Sequence, residues 1–273
     1  MVLTATGATI IAAYATGAII AHQSVNKRIH QERVIILKPR VIVLIPAYNE
    51  EQTIGNLIAD LRKAVPDFDR LVINDGSSDG TAGVVDGLGE KQLRLITNLG
   101  YGAALQAGME YALLCGYDAV ITIDADGQHR AEDVPKLSRA LADGDADMVI
   151  GSRFSHDRPY DTELSRRLGQ QIFSHLARLL IGYRVFDTSS GLKAISAEAC
   201  QVIVDATFMD FHIETIVRLS MLGFRIVEVP VTVLERSHGR SMHSISSVFH
   251  YPLKTLVLTI VAAMDVMLQR RTR

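Results

Sequence analysis

The chain has 273 residues, with 28 Lys and Arg against 30 Asp and Glu, for a formal net charge of -2. A near-neutral chain with a pI near 6.5 has no broad cationic field, which argues against nucleic acid as a partner. Its length and 48% hydrophobic content supply a substantial core and exclude global disorder. Cys115 and Cys200 lie in apolar helical contexts without C-x-x-C or Cys/His spacing, so both are expected as reduced, buried thiols rather than as a zinc site or a disulfide.

The mean hydropathy of +0.18 is raised by the two ends of the chain. From Val2 to Ala21 no residue is charged, and His22, Lys27, Arg28, His30 and Arg33 follow. This run is long enough to span a bilayer, and its basic flank would hold the following domain in the cytoplasm. Residues 1–33 are therefore expected as an apolar segment forming a membrane helix or a membrane-contacting helix; a packed or poorly ordered extension is the alternative. Lys38-Pro39-Arg40 reads as a linker.

Val41 to Ile45 is an apolar run of strand length stopped by Pro46. Asn49, with Gln52 at the capping-box position, is expected to cap a helix whose buried stripe is Ile54, Leu57, Ile58 and Leu61. The pattern repeats with a strand at Leu71-Val72-Ile73, a helix opened by Asp79-Gly80-Thr81, a strand at Leu93 to Ile96 and a helix from about Ala103 to Leu114. Ala119 to Ile123 and Met148 to Ile150 are further strands. This alternation predicts an α/β fold with a doubly wound, mostly parallel sheet. Beyond Phe154 come a long helix around Glu163 to Ile181, a polar loop at Asp187 to Gly191, a helix around Asp210 to Leu222 and a strand from Ile226 to Leu234.

From Pro252 to Leu268 the chain is strongly apolar, yet Lys254, Leu258, Ala262, Asp265 and Gln269 share one helical stripe, and Arg270, Arg271 and Arg273 follow. An amphipathic helix at a membrane interface fits better than a span. A buried helix, or an interface with a second copy in a homo-oligomer, is the alternative. The organisation expected is thus an N-terminal segment at 1–33, a catalytic domain at 34–241 and a C-terminal helix at 242–273.

The most informative stretch is Asp124-Ala125-Asp126-Gly127-Gln128-His129, launched from the end of an apolar strand. In a parallel sheet ligands bind beyond the carboxyl ends of the strands, and Asp124, Asp126 and Gln128 offer hard oxygen ligands there. Mg²⁺ or Mn²⁺ suits such a set, and a nucleoside diphosphate is its natural companion. The loops Pro46 to Glu51 and Asn74 to Gly80 leave the same sheet edge; Asp75 is placed to accept from a base N–H or ribose hydroxyl, and Tyr48 offers a face to a base. Gly100-Tyr101-Gly102 opens a helix, but Leu105 stands where a dinucleotide fingerprint needs its third Gly, so NAD is a poor partner.

These segments, together with Gly151-Ser152-Arg153-Phe154, Asp187-Thr188-Ser189-Ser190-Gly191-Leu192-Lys193, Val227-Glu228-Val229-Pro230-Val231, Arg236 and Gly239-Arg240-Ser241, resemble the inverting family 2 glycosyltransferases. The likeness runs in order from about residue 41 to 250 and is strongest to the branch of dolichyl- and polyprenyl-phosphate sugar synthases. It implies the GT-A fold, a GDP- or UDP-sugar donor and a polyprenyl phosphate acceptor at a membrane. Carried over by residue, it implies that Pro46, Tyr48, Glu50 and Asp75, with Asp124, hold the donor, and that Asp124, Asp126 and Gln128 hold the metal-diphosphate. It further implies that Arg153, Arg166 or Arg167, and Arg236 contact the acceptor phosphate or the donor diphosphate. Asn74 stands where many relatives carry another Asp, while Asp75 keeps the carboxylate.

A sugar hydroxyl acceptor would need a general base, for which Asp210 and Glu214, beside His212, are the candidates; a lipid phosphate is already anionic and needs positioning. Clustered arginines favour the phosphate acceptor. A family 2 enzyme extending a glycan on a hydroxyl is the runner-up, and an inactive nucleotide-sugar-binding scaffold is the alternative of another class.

Overall fold

The computed structural model describes residues 39–144, 146–154, 164–206, 210–234 and 245–271; the side chains of 164–172, 245–253, 270 and 271 are outside the described set. The apolar segment at 1–33, Arg236 and the stretch 239–241 therefore lie outside the described residues, as do the side chains of Arg166 and Arg167. From residue 39 onward the chain forms one unit.

Seven strands make one sheet: β1 (Val41–Ala47), β2 (Asp69–Asn74), β3 (Gln92–Arg94), β4 (Ala119–Thr122), β5 (Met148–Ser152), β6 (Lys193–Ser196) and β7 (Ile226–Pro230), in the order β3-β2-β1-β4-β6-β5-β7. Its neighbours are parallel except around β6, which runs antiparallel to both β4 and β5. Every residue of β1 is buried, because helices cover both faces and successive side chains alternate between them. Val43 and Ile45 pack with Ile54, Leu57, Ile58 and Leu61 of α1 (Ile54–Ala64) on one side. Ile42 and Leu44 meet Ala104, Leu105 and Met109 of α3 (Tyr101–Leu114) on the other. Between them in sequence lies α2 (Thr81–Gly87), and α4 (Val134–Ala142) joins the face of α1 through Val134 and Leu137.

The doubly wound, mostly parallel sheet is as the sequence predicts, and the differences have local causes. The helix after β1 is not capped by Asn49. That residue sits at φ 56°, its Oδ1 accepts from the Ser78 N–H at 2.8 Å, and Thr53 holds the cap position. Strand β6 and the following α6 (Ala197–Val204) were not expected; a lysine at the strand's first position breaks its apolar pattern. Ser196 caps α6 by accepting from Ala199 N–H. Cys115 is exposed at the end of α3, contrary to the expected burial, whereas Cys200 is buried in α6; both are free. Arg40 is no loose linker, since its backbone N–H donates to Asp118 Oδ2 and its guanidinium to Cys115 O, both at 2.8 Å.

The C-terminal third adds α5 (Leu164–Ile181), α7 (Ile213–Met221) and α8 (Ile245–Arg271). Ala177 of α5, Ile213 and Val217 of α7 and Ala263 of α8 form a third small core. Two members of the polar stripe foreseen on α8 reach back to the protein from its edge: Lys254 pairs with Asp210 at 2.7 Å and Asp265 with Arg218 at 2.5 Å. Val257, Ile260, Val261, Met264, Met267 and Leu268 are exposed on the opposite side. Among the described residues no helix is long and apolar enough to cross a membrane.

Gly108 shows how tightly α3 lies on the sheet, since a Cβ there would stand 2.9 Å from Ile73 Cδ1 and 3.0 Å from Leu44 Cδ1. Gly108→Val is expected to destabilise the fold by about 1–3 kcal/mol through overpacking, read as a lowered denaturant midpoint with an unchanged slope.

Candidate active site

Parallel pairing sets the loops after β1 and β2 side by side, Ala47 being the register partner of Asn74. Short polar bonds then stitch them together: Asn49 N–H donates to Ser77 Oγ (3.0 Å), Glu50 N–H to Thr81 Oγ1 (2.8 Å) and Gly80 N–H to Glu51 Oε2 (2.7 Å). Pro46 is buried at the end of β1, Tyr48 is 42% exposed, and the half-buried Glu50 accepts from the Thr53 hydroxyl at 2.6 Å. The Asp75 carboxylate is buried and accepts from Leu99 N–H (2.7 Å) and Gly100 N–H (2.9 Å), so it fixes the loop that opens α3. Each of its oxygens has a second lone pair for a ligand.

Beyond β4, Asp124, Asp126 and Gln128 are all half-buried. Asp124 Oδ1 accepts from the Tyr101 hydroxyl at 2.9 Å, and Asp126 Oδ1 accepts from Gln128 N–H at 3.0 Å. The segment before β6 closes over this edge: Thr122 Oγ1 donates to Gly191 O at 2.8 Å, and a Cβ on Gly191 would fall 1.9 Å from Asp124 Oδ2. Only glycine permits that approach. Among the described residues no group of three or more His, Cys, Asp or Glu could hold a metal ion. Two carboxylates and an amide still suit a hard cation of the Mg²⁺ type, which takes one or two protein carboxylates and fills its shell with substrate phosphate and water.

Behind the carboxylates lies a buried set of ionisable groups in which the base candidates Glu214 and His212 are joined by Lys193, a residue that sequence reading left without a role. Lys193 is fully buried; its Nζ donates to Phe211 O at 2.9 Å and stands 4.4 Å from the centre of the Phe211 ring. Burial brings its pKa down to about 8, against the favourable charges of Asp124, Glu214 and Asp187. Phe211 takes a left-handed φ of 67°, and Glu214 Oε1 holds the turn by accepting from Asp210 N–H and His212 N–H, both at 2.9 Å. Burial pushes the Glu214 carboxyl up. His212 stacks on Tyr101 with ring centres 5.9 Å apart, and burial, then the charges of Lys193, Lys254 and Arg153, push its pKa down to about 3. Burial likewise lowers His129, although Asp124 opposes it. Both imidazoles are thus neutral at pH 7.

Arg153, after β5, is gripped by Asp187: its Nε donates to Oδ2 at 2.8 Å and its Nη2 to Oδ1 at 2.7 Å, while Nη2 also donates to Ser189 Oγ at 2.7 Å. Burial opposes ionisation of Asp187, but the bonds and charge of Arg153 hold its carboxyl below the ordinary range. The structure thus brings Asp124, Asp126, Gln128, Asp75, Tyr48 and Arg153 to the carboxyl edge of the sheet and puts Glu214 inside, under the Asp210 turn. The motif from Asp187 to Lys193 was visible in the sequence, but its chemistry was not, because each member acts on a residue distant in the chain.

A sheet of this order, with a carboxylate pair beyond its fourth strand and paired loops beyond its first two, defines the GT-A type of transferase fold. The chain belongs to glycosyl transferase family 2, whose model matches residues 42–204. It is 34% identical over 215 residues to the undecaprenyl-phosphate mannosyltransferase of Micrococcus luteus, covering 75% of this chain and 88% of that one. It is 33% identical over 220 residues to the polyprenol monophosphomannose synthase of Mycolicibacterium smegmatis, covering 77% and 83%. In fold it is similar to glucosyl-3-phosphoglycerate synthase from Mycobacterium tuberculosis, crystallised with Mn²⁺, UDP-glucose and phosphoglyceric acid, with a TM-score of 0.64, 20% identity, and coverage of 83% of this chain and 80% of that one. The protein is accordingly a glycosyltransferase.

Gly191→Ala is expected to slow sugar transfer by about 100-fold, because the new methyl group displaces Asp124 by more than the tolerance of an oriented site. Circular dichroism should show a retained fold. Transfer at the parental rate would remove Asp124 from the machinery.

Proposed function

We propose that the protein carries out metal-dependent, inverting transfer of a sugar from a nucleotide-sugar to a polyprenyl phosphate at the cytosolic face of a membrane. The observation that carries this reading is the state of the candidate bases. Asp210 is paired with Lys254, Glu214 has no exposed surface and lies under the Asp210 turn, and His212, its pKa pushed down to about 3, is too weak a base to take a hydroxyl proton. A hydroxyl acceptor would need one of them to take its proton, whereas a phosphate arrives as a nucleophile. Two relatives named for undecaprenyl-phosphate and polyprenol substrates support the same acceptor.

In this reading Pro46, Tyr48, Glu50 and Asp75 frame the nucleoside, with Tyr48 as the exposed face for the base. Asp124, Asp126 and Gln128 hold Mg²⁺ or Mn²⁺, which supplies neutralising charge for the departing diphosphate. Arg153 receives the acceptor phosphate, with Arg166 or Arg167 and Arg236 assigned to the same anion. Lys193 and Glu214 keep the turn from Asp210 to His212 rigid, and His212 supports Tyr101 and through it Asp124. The outward apolar side of α8 rests on the lipid surface, near which a lipid acceptor must present its phosphate.

The deciding assay offers labelled UDP- and GDP-sugars with either short-chain polyprenyl phosphate or a free oligosaccharide. The expected product partitions into organic solvent and is cleaved by mild acid; label appearing only on the oligosaccharide would overturn the acceptor. In the same assay Asp126→Asn should nearly abolish transfer, as it removes charge from the cation site without a change of size.

Ile260→Glu with Met264→Glu should release the protein from anionic vesicles in a flotation assay and leave nucleoside diphosphate affinity unchanged. Undiminished flotation would take α8 out of the membrane contact.

A further inference from the structure

Two segments near Arg153, Phe186 to Asp187 and the strand β7, are joined by a second carboxylate. Glu228, half-buried on β7 and opposite Ile150 of β5, accepts from Asp187 N–H through Oε1 and from Phe186 N–H through Oε2, each at 2.8 Å. Burial pushes the Glu228 carboxyl up, against those two donors. Asp187 has no exposed surface, and besides its two bonds to the guanidinium its Oδ2 accepts from the Arg153 backbone N–H at 3.0 Å. The order of support therefore runs from β7 through Glu228 to the 186–187 backbone, through the Asp187 carboxylate to Arg153. A buried carboxylate held by three donors on one arginine adds little to stability, since the desolvation of a buried ion pair offsets most of its attraction. It does fix a planar guanidinium in one orientation, which a bidentate grip does better than any single contact.

We propose that Asp187 and Glu228 form a two-carboxylate buttress that aims Arg153 at the acceptor, with Asp187 a positioning residue of the transfer reaction. The proposal rests on the reading of Arg153 as a contact of the acceptor phosphate. Asp187 fixes the approach direction of the anion by fixing the arginine, and Glu228 fixes the loop that carries Asp187. Neither touches substrate. Their loss is felt where the acceptor is aligned and is silent where the nucleotide binds.

The test is a double-mutant cycle on the full chain, with short-chain polyprenyl phosphate as acceptor and nucleoside diphosphate affinity measured separately by calorimetry. Asp187→Asn, which keeps the shape and removes the charge, is expected to lower kcat/KM for the acceptor by about tenfold or more with nucleotide affinity unchanged. The same substitution made in an Arg153→Ala background should cost nothing further, since the arginine it aims is gone. Glu228→Gln, which retains the Arg153–Asp187 pair and loosens only the loop, should give a smaller loss that also vanishes in that background; it serves where Asp187→Asn fails to fold. Losses that persist undiminished without Arg153 would overturn the buttress, because both carboxylates would then act through the fold. If Arg153→Ala itself leaves acceptor kcat/KM unchanged, the acceptor reading of Arg153 falls, and the buttress with it.

Discussion

Lys193 places an ammonium group at a point with no exposure, on a strand between β4 and β5, where an unpaired charge would cost several kcal/mol. What makes it tolerable organises the site. The Phe211 carbonyl and ring take the ammonium directly, and the charges of Asp124, Glu214 and Asp187 favour it. Each of those carboxylates has a second engagement that points outward: Asp124 with Tyr101, Glu214 with the Asp210 turn, Asp187 with Arg153. The strand-β4 edge, the Asp210 turn and Arg153 are thus all referred to one buried cation. The close approach of Gly191 to Asp124, two residues before Lys193, belongs to the same constraint.

The outer frame of the fold was legible because its signal is local. Runs such as Val41 to Ile45 and Ala119 to Ile123 are apolar throughout since both sheet faces are covered, and the helix of Ile54, Leu57, Ile58 and Leu61 shows its period plainly. Asp124, Asp126 and Gln128 could be singled out for the same reason, as three oxygen-bearing side chains close in sequence beyond a strand. Strand β6 could not, because its first residue is a buried lysine whose partners come from a turn 18 residues away, and antiparallel insertion between β4 and β5 is a tertiary fact. Asn49 was misread for a related reason. An Asn before an apolar helical stripe is a reasonable cap, but here a bond to Ser78, on the neighbouring loop, competes for its side chain and wins.

Helix α8 shows where a sequence pattern gives the right periodicity and leaves its direction open. The polar stripe was evident, and on a surface helix polar residues usually meet water. Here Lys254 and Asp265 meet Asp210 and Arg218, and Thr255 and Thr259 are buried beside them. The apolar side is left outward by default, a placement that is unfavourable in water and favourable against lipid. Because Lys254 holds Asp210, at one end of the turn that Lys193 and Glu214 also hold, any contact made by α8 bears on that turn.

Charge explains why a cation and an oriented arginine belong together in the proposed reaction. Counted together, Asp124, Asp126 and Asp187 exceed Lys193 and Arg153 by one negative charge, or by two when Glu214 is ionised, and the neighbouring imidazoles are held neutral. Neither a diphosphate nor a phosphate acceptor would approach such an edge unaided. A divalent ion held by Asp124, Asp126 and Gln128, as proposed, would offset the excess for the donor, and the acceptor is assigned instead to Arg153 after β5. There the positive charge must come from the protein, and a guanidinium locked by Asp187 keeps its orientation when the anion arrives. Asp187 therefore does two opposed things: it subtracts net charge from the acceptor side and adds direction to what remains. Direction is the scarcer quantity for a nucleophile that is already ionised, since its attack on the sugar depends on alignment with the departing diphosphate and not on proton removal.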